Sequence, residues 1–405
     1  MDFGFAFGKR GKKKGKPTQG DLLRAMFTLR QPPTHRATTL VDQGSIVSLN
    51  QLIVYLTTNT TGAITRPIGN LMLGSHASDA ALELPMYVGQ NGLSEYETLQ
   101  VAIDDPTKSI EMTTDLIGPD PGVVNFRGCN IGKSQPFLDK WKEALGNVRV
   151  SAPKHFHGIF SGPDYGYWES LVYEFAVNTR GDKPFTTLAD LKAAFRARTP
   201  AFAFVDGTTV PDAYWDNKDW LPNRLPAGGF REIPYTLHDS IGSRTTIGAN
   251  RGLLVEKVPF NWHLDYETAA EVPKPDPPAF TNCIAILKAS FEADTSSLFN
   301  PPFPVFERQG YGDLDEFVSG HSWTFSQGTR KGKDGKRVFM LLAVGTRISY
   351  TLLIPVTDPA PAPDPKVGKL ITNFFPLATF DKVPLDELPD DGLVETDARY
   401  FGITT

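Results

Sequence analysis

Three short apolar runs, residues 71–73 with their flanks, 123–126 (VVNF) and 148–150, are bounded by Gly, Asn or Pro, and stretches of helical period separate them. Continuous apolar runs of this length fit strands buried on both faces, since a strand with one wet face alternates apolar and polar residues. Between the first two runs, Ser94 and Glu97 make a capping box, followed by an apolar stripe at Leu93, Tyr96, Leu99 and Ile103. After the second run, a helix is predicted to begin about Pro136, to turn Phe137, Leu138, Trp141 and Leu145 inward, and to stop at Gly146. A β-α-β-α-β order of this kind argues for an α/β fold with a mostly parallel sheet flanked by helices, and it places functional residues at the carboxyl ends of the strands. An earlier run, 52–56 (LIVYL), reads as one more strand. Residues 57–67 after it are too few for a helical crossover and TTNTTG reads as a turn, so the first two strands form a candidate antiparallel pair.

A chain of 405 residues exceeds one ordinary core and usually divides. Two Pro-rich passages, 272–278 (VPKPDPP) and 358–365 (DPAPAPDP), read as extended linkers. The resulting division is a basic disordered tail over 1–20, an α/β domain over 37–268 and a smaller β-rich C-terminal region over 279–405. A further helix is expected over 188–197, opening with Thr187 and Asp190, and a strand over 201–205 (AFAFV). A hairpin-like turn at 333–336 precedes a strand-like run over 338–344.

Apolar residues make up 40% of the chain and charged residues 21%, a globular composition that excludes wholesale disorder or a fibrous repeat. No uninterrupted apolar window reaches the roughly 18 residues of a membrane-spanning helix. The N-terminus does not read as a secretory signal, because Phe3, Phe5 and Phe7 precede the positive charges instead of following them. A cytoplasmic location is therefore expected, and two distant cysteines, Cys129 and Cys283, fit a reducing compartment better than a disulfide framework. The net charge of −5 is no argument for nucleic-acid binding by the body of the protein. The basic cluster Lys9, Arg10, Lys12, Lys13, Lys14 and Lys16 reads as a solvated arm or as an electrostatic tether to an acidic partner, nucleic acid or anionic lipid.

The segment NLMLGSHAS puts His76 just past one apolar run, and VVNFRGCNIG puts Cys129 just past the next, 53 positions on. A cysteine with a histidine about 50 residues upstream is the caspase spacing. These residues resemble the caspase-type cysteine peptidases, the superfamily that also holds gingipains and legumain. Its signature is an apolar strand ending in a histidine, one helix, then an apolar strand ending in the cysteine. The resemblance covers roughly a quarter of the chain and implies a caspase-like sheet in which His76 and Cys129 form a catalytic dyad. It also implies an oxyanion hole made by the main-chain N–H groups of Ala77 and Cys129, with Gly128 and Gly132 allowing the turn that exposes the thiol. The chain departs from the family pattern in having Ala77 after the histidine, where Gly is usual, and Arg127-Gly128 before the cysteine.

No cofactor or metal is expected, and the implied partner is a protein or peptide substrate; no oligomeric state is specified by the sequence. Lys154, His155 and His157 follow the third run at the same sheet edge and are candidate substrate-binding residues. His155 and His157 lack the nearby cysteines or carboxylates of a zinc site, and Asp313, Asp315 and Glu316 lack calcium-loop spacing. Tyr165, Tyr167 and Trp168 read as packing residues, with a substrate platform as the alternative. Gly128 to Ser134 (GCNIGKS) is one residue short of a phosphate-binding loop, with Asp206 after AFAFV as its magnesium-binding counterpart. Cys283, in the apolar context TNCIAIL, is expected to be buried and inert. Three readings follow: a cysteine endopeptidase, a non-catalytic interaction module on the same fold, and a degenerate phosphate-loop hydrolase.

Overall fold

The computed structural model describes residues 2–6, 12–13, 16–17, 38–40, 45–58, 64, 66–90, 92–118, 122–162, 166–198, 253–296, 298–302, 304–332, 335–355, 375–380 and 398–405. Their strands are β1 (Asp2–Ala6), β2 (Lys12–Lys13), β3 (Lys16–Pro17), β4 (Thr38–Leu40), β5 (Asn70–Gly74), β6 (Val123–Arg127), β7 (Arg149–Pro153), β8 (Phe156–Gly162), β9 (Gly166–Arg180), β10 (Leu253–Tyr266), β11 (Ser322–Lys331), β12 (Arg337–Pro355), β13 (Phe375–Phe380) and β14 (Phe401–Ile403). The helices are α1 (Leu49–Thr58), α2 (Tyr96–Asp104), α3 (Gln135–Ala144), α4 (Leu188–Ala197), α5 (Thr281–Ala293), α6 (Val305–Arg308) and α7 (Leu314–Ser319). The chain divides into two units, Met1–Tyr173 with Ile354–Thr405, and Glu174–Leu353.

The first unit is a mixed α/β structure on a six-stranded sheet of order β14-β7-β6-β5-β1-β4. Every pairing from β4 to β7 is parallel, and β14 alone runs antiparallel. The three apolar runs are β5, β6 and β7, neighbours in that order. Helix α3 begins where Ser134 accepts a hydrogen bond from the Phe137 N–H (3.3 Å), and its Phe137, Leu138 and Trp141, with Leu145 beyond it, are fully buried. Trp141 lies 4.7 Å from the Phe126 ring of β6, so α3 covers this face of the sheet. Each such side chain contributes roughly 1.5–3 kcal/mol of burial energy. Helix α2 starts one residue later than the Ser94 capping box predicts. The Ser94 hydroxyl is buried and donates to the Leu84 carbonyl, and the cap passes to Glu95, whose N–H donates to Thr98 Oγ1 at 2.6 Å.

Residues 52–56 are helical and not a strand. Leu49, Leu52, Ile53 and Leu56 are buried while Val54 is exposed, an i, i+3, i+4, i+7 face that a five-residue window does not reveal. The antiparallel first pair therefore falls away, and β5 lies between β1 and β6, both parallel to it. The first residues also differ from the expected tail: Asp2–Ala6 forms a strand between β4 and β5, with Phe5 buried. Beyond it Lys12–Lys13 pairs antiparallel with Lys16–Pro17. At the other end of the sequence, β14 pairs with β7, which puts residues 401–403 in the first unit and not in a separate C-terminal region. The same unit holds the first part of β9, as far as Tyr173, with its antiparallel partners β8 and β13.

In the second unit β12 pairs antiparallel with β10 and β11. Strand β10 alternates, with Phe260, Trp262, Leu264 and Tyr266 turned toward a core and Asn261, His263 and Asp265 exposed. That core holds Cys283, Leu287 and Phe291 of α5, Phe317 and Val318 of α7, and Trp323 and Phe325 of β11. Val272 belongs to it as well, and Gln327 Nε2 donates to the Val272 carbonyl at 3.1 Å. The passage 272–278 is thus anchored on this core, within one unit, in place of the linker its prolines suggest. Helix α4 starts as predicted, with Thr187 Oγ1 accepting from the Asp190 N–H at 3.1 Å. The strands β11 and β12 form the expected hairpin, Lys331 pairing with Arg337. The readings placed on 201–205 and 358–365 lie outside the described residues.

Candidate active site

Gly74 and Arg127 are register partners at the ends of the parallel strands β5 and β6. The ladder continues one step further, the Ser75 N–H donating to the Arg127 carbonyl at 3.1 Å. His76 and Cys129 each stand two residues beyond that last pair, so both lie at the carboxyl ends of adjacent parallel strands. The chains stay together past the ladder because residue 128 is Gly: a Cβ there would lie 2.5 Å from Ala77 Cβ and 2.9 Å from the Ser75 carbonyl oxygen.

His76 is exposed, and its main chain is tied down. Its carbonyl accepts from the Glu83 N–H and from Ser75 Oγ, each at 2.8 Å. The bonds Ser78 N–H to Ala81 carbonyl and Glu83 N–H to His76 carbonyl flank the Ala77–Leu82 bridge. Ala77 and Leu82 therefore oppose each other as a non-hydrogen-bonded pair, which directs the Ala77 N–H away from the 81–83 segment.

Cys129 is half-buried, and its thiol donates to the His157 carbonyl at 3.3 Å. A hydrogen bond of this sense favours the neutral thiol over the thiolate. The next residue, Asn130, has φ 61° and ψ 0°, and its N–H donates to the His155 carbonyl at 3.0 Å. A 3-10 turn over Ile131–Lys133 follows, closed by the Lys133 N–H on the Asn130 carbonyl at 2.9 Å. Gly132 is pressed against other main chain, since a Cβ there would lie 2.1 Å from the Ala152 oxygen and 2.8 Å from the Gly402 nitrogen. The two glycines thus serve close approach, while the left-handed residue that turns the loop is Asn130. Sequence reasoning passed over Asn130; the available signal was that Asn, after Gly, enters this backbone region most readily.

Of the candidate substrate residues, His155 and His157 reach the thiol loop through their carbonyls. The His157 side chain is buried at 4% exposure, so it does not line an open surface. His155 faces Tyr400 at 6.4 Å between ring centroids, and burial, with smaller contributions from Lys133 and Lys154, pushes its pKa down to about 3. Lys154 Nζ donates to the Ala398 carbonyl at 2.6 Å, and the Lys154 N–H to the Tyr400 carbonyl at 2.8 Å.

The phosphate-loop pattern meets an obstacle here, because the N–H groups of Asn130 and Lys133 are already committed to carbonyls and a phosphate needs them free. Asp206 lies outside the described residues. Asp313 Oδ1 caps α7 by accepting from the Glu316 N–H at 2.8 Å, Glu316 accepts from the Gly312 N–H at 2.7 Å, and Asp315 pairs with Lys288 at 2.5 Å. That acidic trio thus has structural work. Among the described residues no group of three or more His, Cys, Asp or Glu is arranged to hold a metal, and no helix is long and apolar enough to cross a membrane. Tyr165 lies outside the described residues, while Tyr167 and Trp168 belong to β9. Cys283 is fully buried, and burial, then Asp276, pushes its thiol pKa up. No family model, curated protein or solved structure matches this chain.

Proposed function

We propose that this protein is a cysteine endopeptidase of caspase-like fold, with Cys129 as nucleophile and His76 as its acid–base partner. The observation that carries the reading is the Gly74–Arg127 register, which brings a histidine and a cysteine to matching positions beyond neighbouring parallel strands. In the proposed reaction the Cys129 thiol gives its proton to His76 and its sulfur attacks the scissile carbonyl carbon. The Ala77 and Cys129 N–H groups receive the oxyanion. His76 then protonates the leaving amine as the C–N bond breaks, and water hydrolyses the thioester, returning Cys129 as a thiol. The thiol turns from the His157 carbonyl toward the imidazole for this sequence, a change of side-chain rotamer.

A non-catalytic interaction module is the second reading. The thiol's hydrogen bond to the His157 carbonyl favours it, since a thiol donating to a carbonyl is a stable resting arrangement with no need of a base. Alkylation with iodoacetamide across pH, read at both cysteines by digestion and mass spectrometry, separates the two. The peptidase reading expects Cys129 to react well below the ordinary thiol pKa of roughly 8.5, Cys283 to lag, and the Cys129 profile to move in His76→Ala. Equal, slow labelling of both, unchanged in His76→Ala, would leave the interaction module.

A further inference from the structure

We infer that Asn130 is a positioning residue for Cys129, acting through its backbone conformation; the inference builds on the peptidase reading of the site. The loop that carries the thiol is held at two points. Gly128 is pressed on Ser75 and Ala77, and Gly132 on Ala152 and Gly402. The direction of the chain between those clamps is set by one left-handed residue, Asn130, at φ 61° and ψ 0°. This turn aims the Asn130 N–H at the His155 carbonyl (3.0 Å) and leaves the Cys129 sulfur 3.3 Å from the His157 carbonyl. Two consecutive loop residues thus grip the carbonyls of His155, in the bend between β7 and β8, and His157, in β8, which fixes the loop's height at the sheet edge and with it the distance the thiol has to cover to meet His76.

A residue at this position has to tolerate a positive φ. Gly does so freely, Asn readily, Ala with strain, and a β-branched residue hardly at all. The order of variants is therefore a signature of a backbone role. A role for the side-chain amide predicts instead that Gly, Ala and Val all fail alike.

The test is the rate of Cys129 alkylation by iodoacetamide in the full chain, measured across pH for Asn130→Gly, Asn130→Ala and Asn130→Val, with far-UV circular dichroism to verify folding. Asn130→Gly is expected to stay within about twofold of the parent rate, and Asn130→Val to depart from it by about tenfold, with Asn130→Ala between them. In Asn130→Val the Cys129 profile should also stop responding to His76→Ala. If Asn130→Val does not fold, the Gly-to-Ala step decides. Equal rates across the series, or equal defects in the Gly, Ala and Val variants, would overturn the inference. Failure of the dyad itself has a separate mark, a profile indifferent to His76→Ala in the parent chain, and the Gly-to-Val comparison of rates stands apart from it.

Discussion

The two units differ in what they gather at the centre. The second fills its interior with rings: Phe260, Trp262, Phe291, Phe299, Phe317 and Trp323 meet at centroid separations of 4.4–6.4 Å. The first buries polar groups among its strands. Asn125 of β6 is 1% exposed and its Nδ2 donates to Ser151 Oγ at 3.1 Å, Arg127 is 1% exposed with its guanidinium 5.7 Å from the Phe401 ring, and Ser75 and Thr404 are buried too. Buried polar groups stabilise only when their hydrogen-bond geometry is kept. The polar interior lies under the strand ends that carry His76 and Cys129, so geometry-sensitive packing is concentrated where chemistry is proposed.

The sharpest way to break that contrast is to remove the proposed chemistry. Cys129→Ala and His76→Ala are each expected to lower hydrolysis of a mixed fluorogenic peptide library by roughly a thousandfold or more, with unfolding midpoints little changed. Lys133→Ala should leave hydrolysis nearly intact. Nucleotide hydrolysis lost in Lys133→Ala and kept in Cys129→Ala would instead install the phosphate-loop reading.

Core truncations test whether the two interiors serve different ends. Phe291→Ala and Trp141→Ala remove rings that are 1% and 0% exposed, and each should cost about 3–5 kcal/mol in urea unfolding. Their reach should differ: Phe291→Ala speeds alkylation of Cys283 and spares Cys129, while Trp141→Ala, in the helix that follows the thiol loop, alters Cys129. Identical effects on both thiols would erase the distinction.

Acid makes the smallest difference. His155, with its pKa lowered from 6.5 to about 3, and His321, lowered from 6.5 to about 4, are both held neutral chiefly by burial. The unfolded chain binds a proton at each below pH 6.5 and the folded chain does not, so stability is full above pH 6.5 and falls as pH drops. Each accounts for about 2 kcal/mol by pH 5. His155→Gln should flatten the slope of the first unit, and His321→Gln that of the second, in urea midpoints taken from pH 7 to 5.

The three central strands, α3 and α4 are legible in the sequence because their signals are local: apolar runs of strand length, a Ser or Thr cap, a helical stripe. The placement of His76 and Cys129 just past the ends of neighbouring strands was legible for the same reason, each residue closing a run. Residues 52–56 misled because five apolar residues suit either period, and the deciding neighbour, Leu49, lay outside the window. Asp2–Ala6 and Phe401–Ile403 were lost differently. A five-residue and a three-residue strand carry little pattern of their own, and their partners, β5 for one and β7 for the other, lie far along the chain. Val272 was masked by the prolines around it, which speak of extended backbone and not of where that backbone is anchored.

Strand β14 has one more consequence. Without it, β7 would end the sheet with an open row of main-chain donors and acceptors, the template on which a strand of another molecule can add. The Thr404 N–H donates to the Val150 carbonyl at 2.9 Å, and Thr404 Oγ1 accepts from the Val150 N–H at 2.8 Å. Three residues of strand and one hydroxyl thus occupy the border of the sheet, and a chain in which they are displaced should reveal it first as self-association.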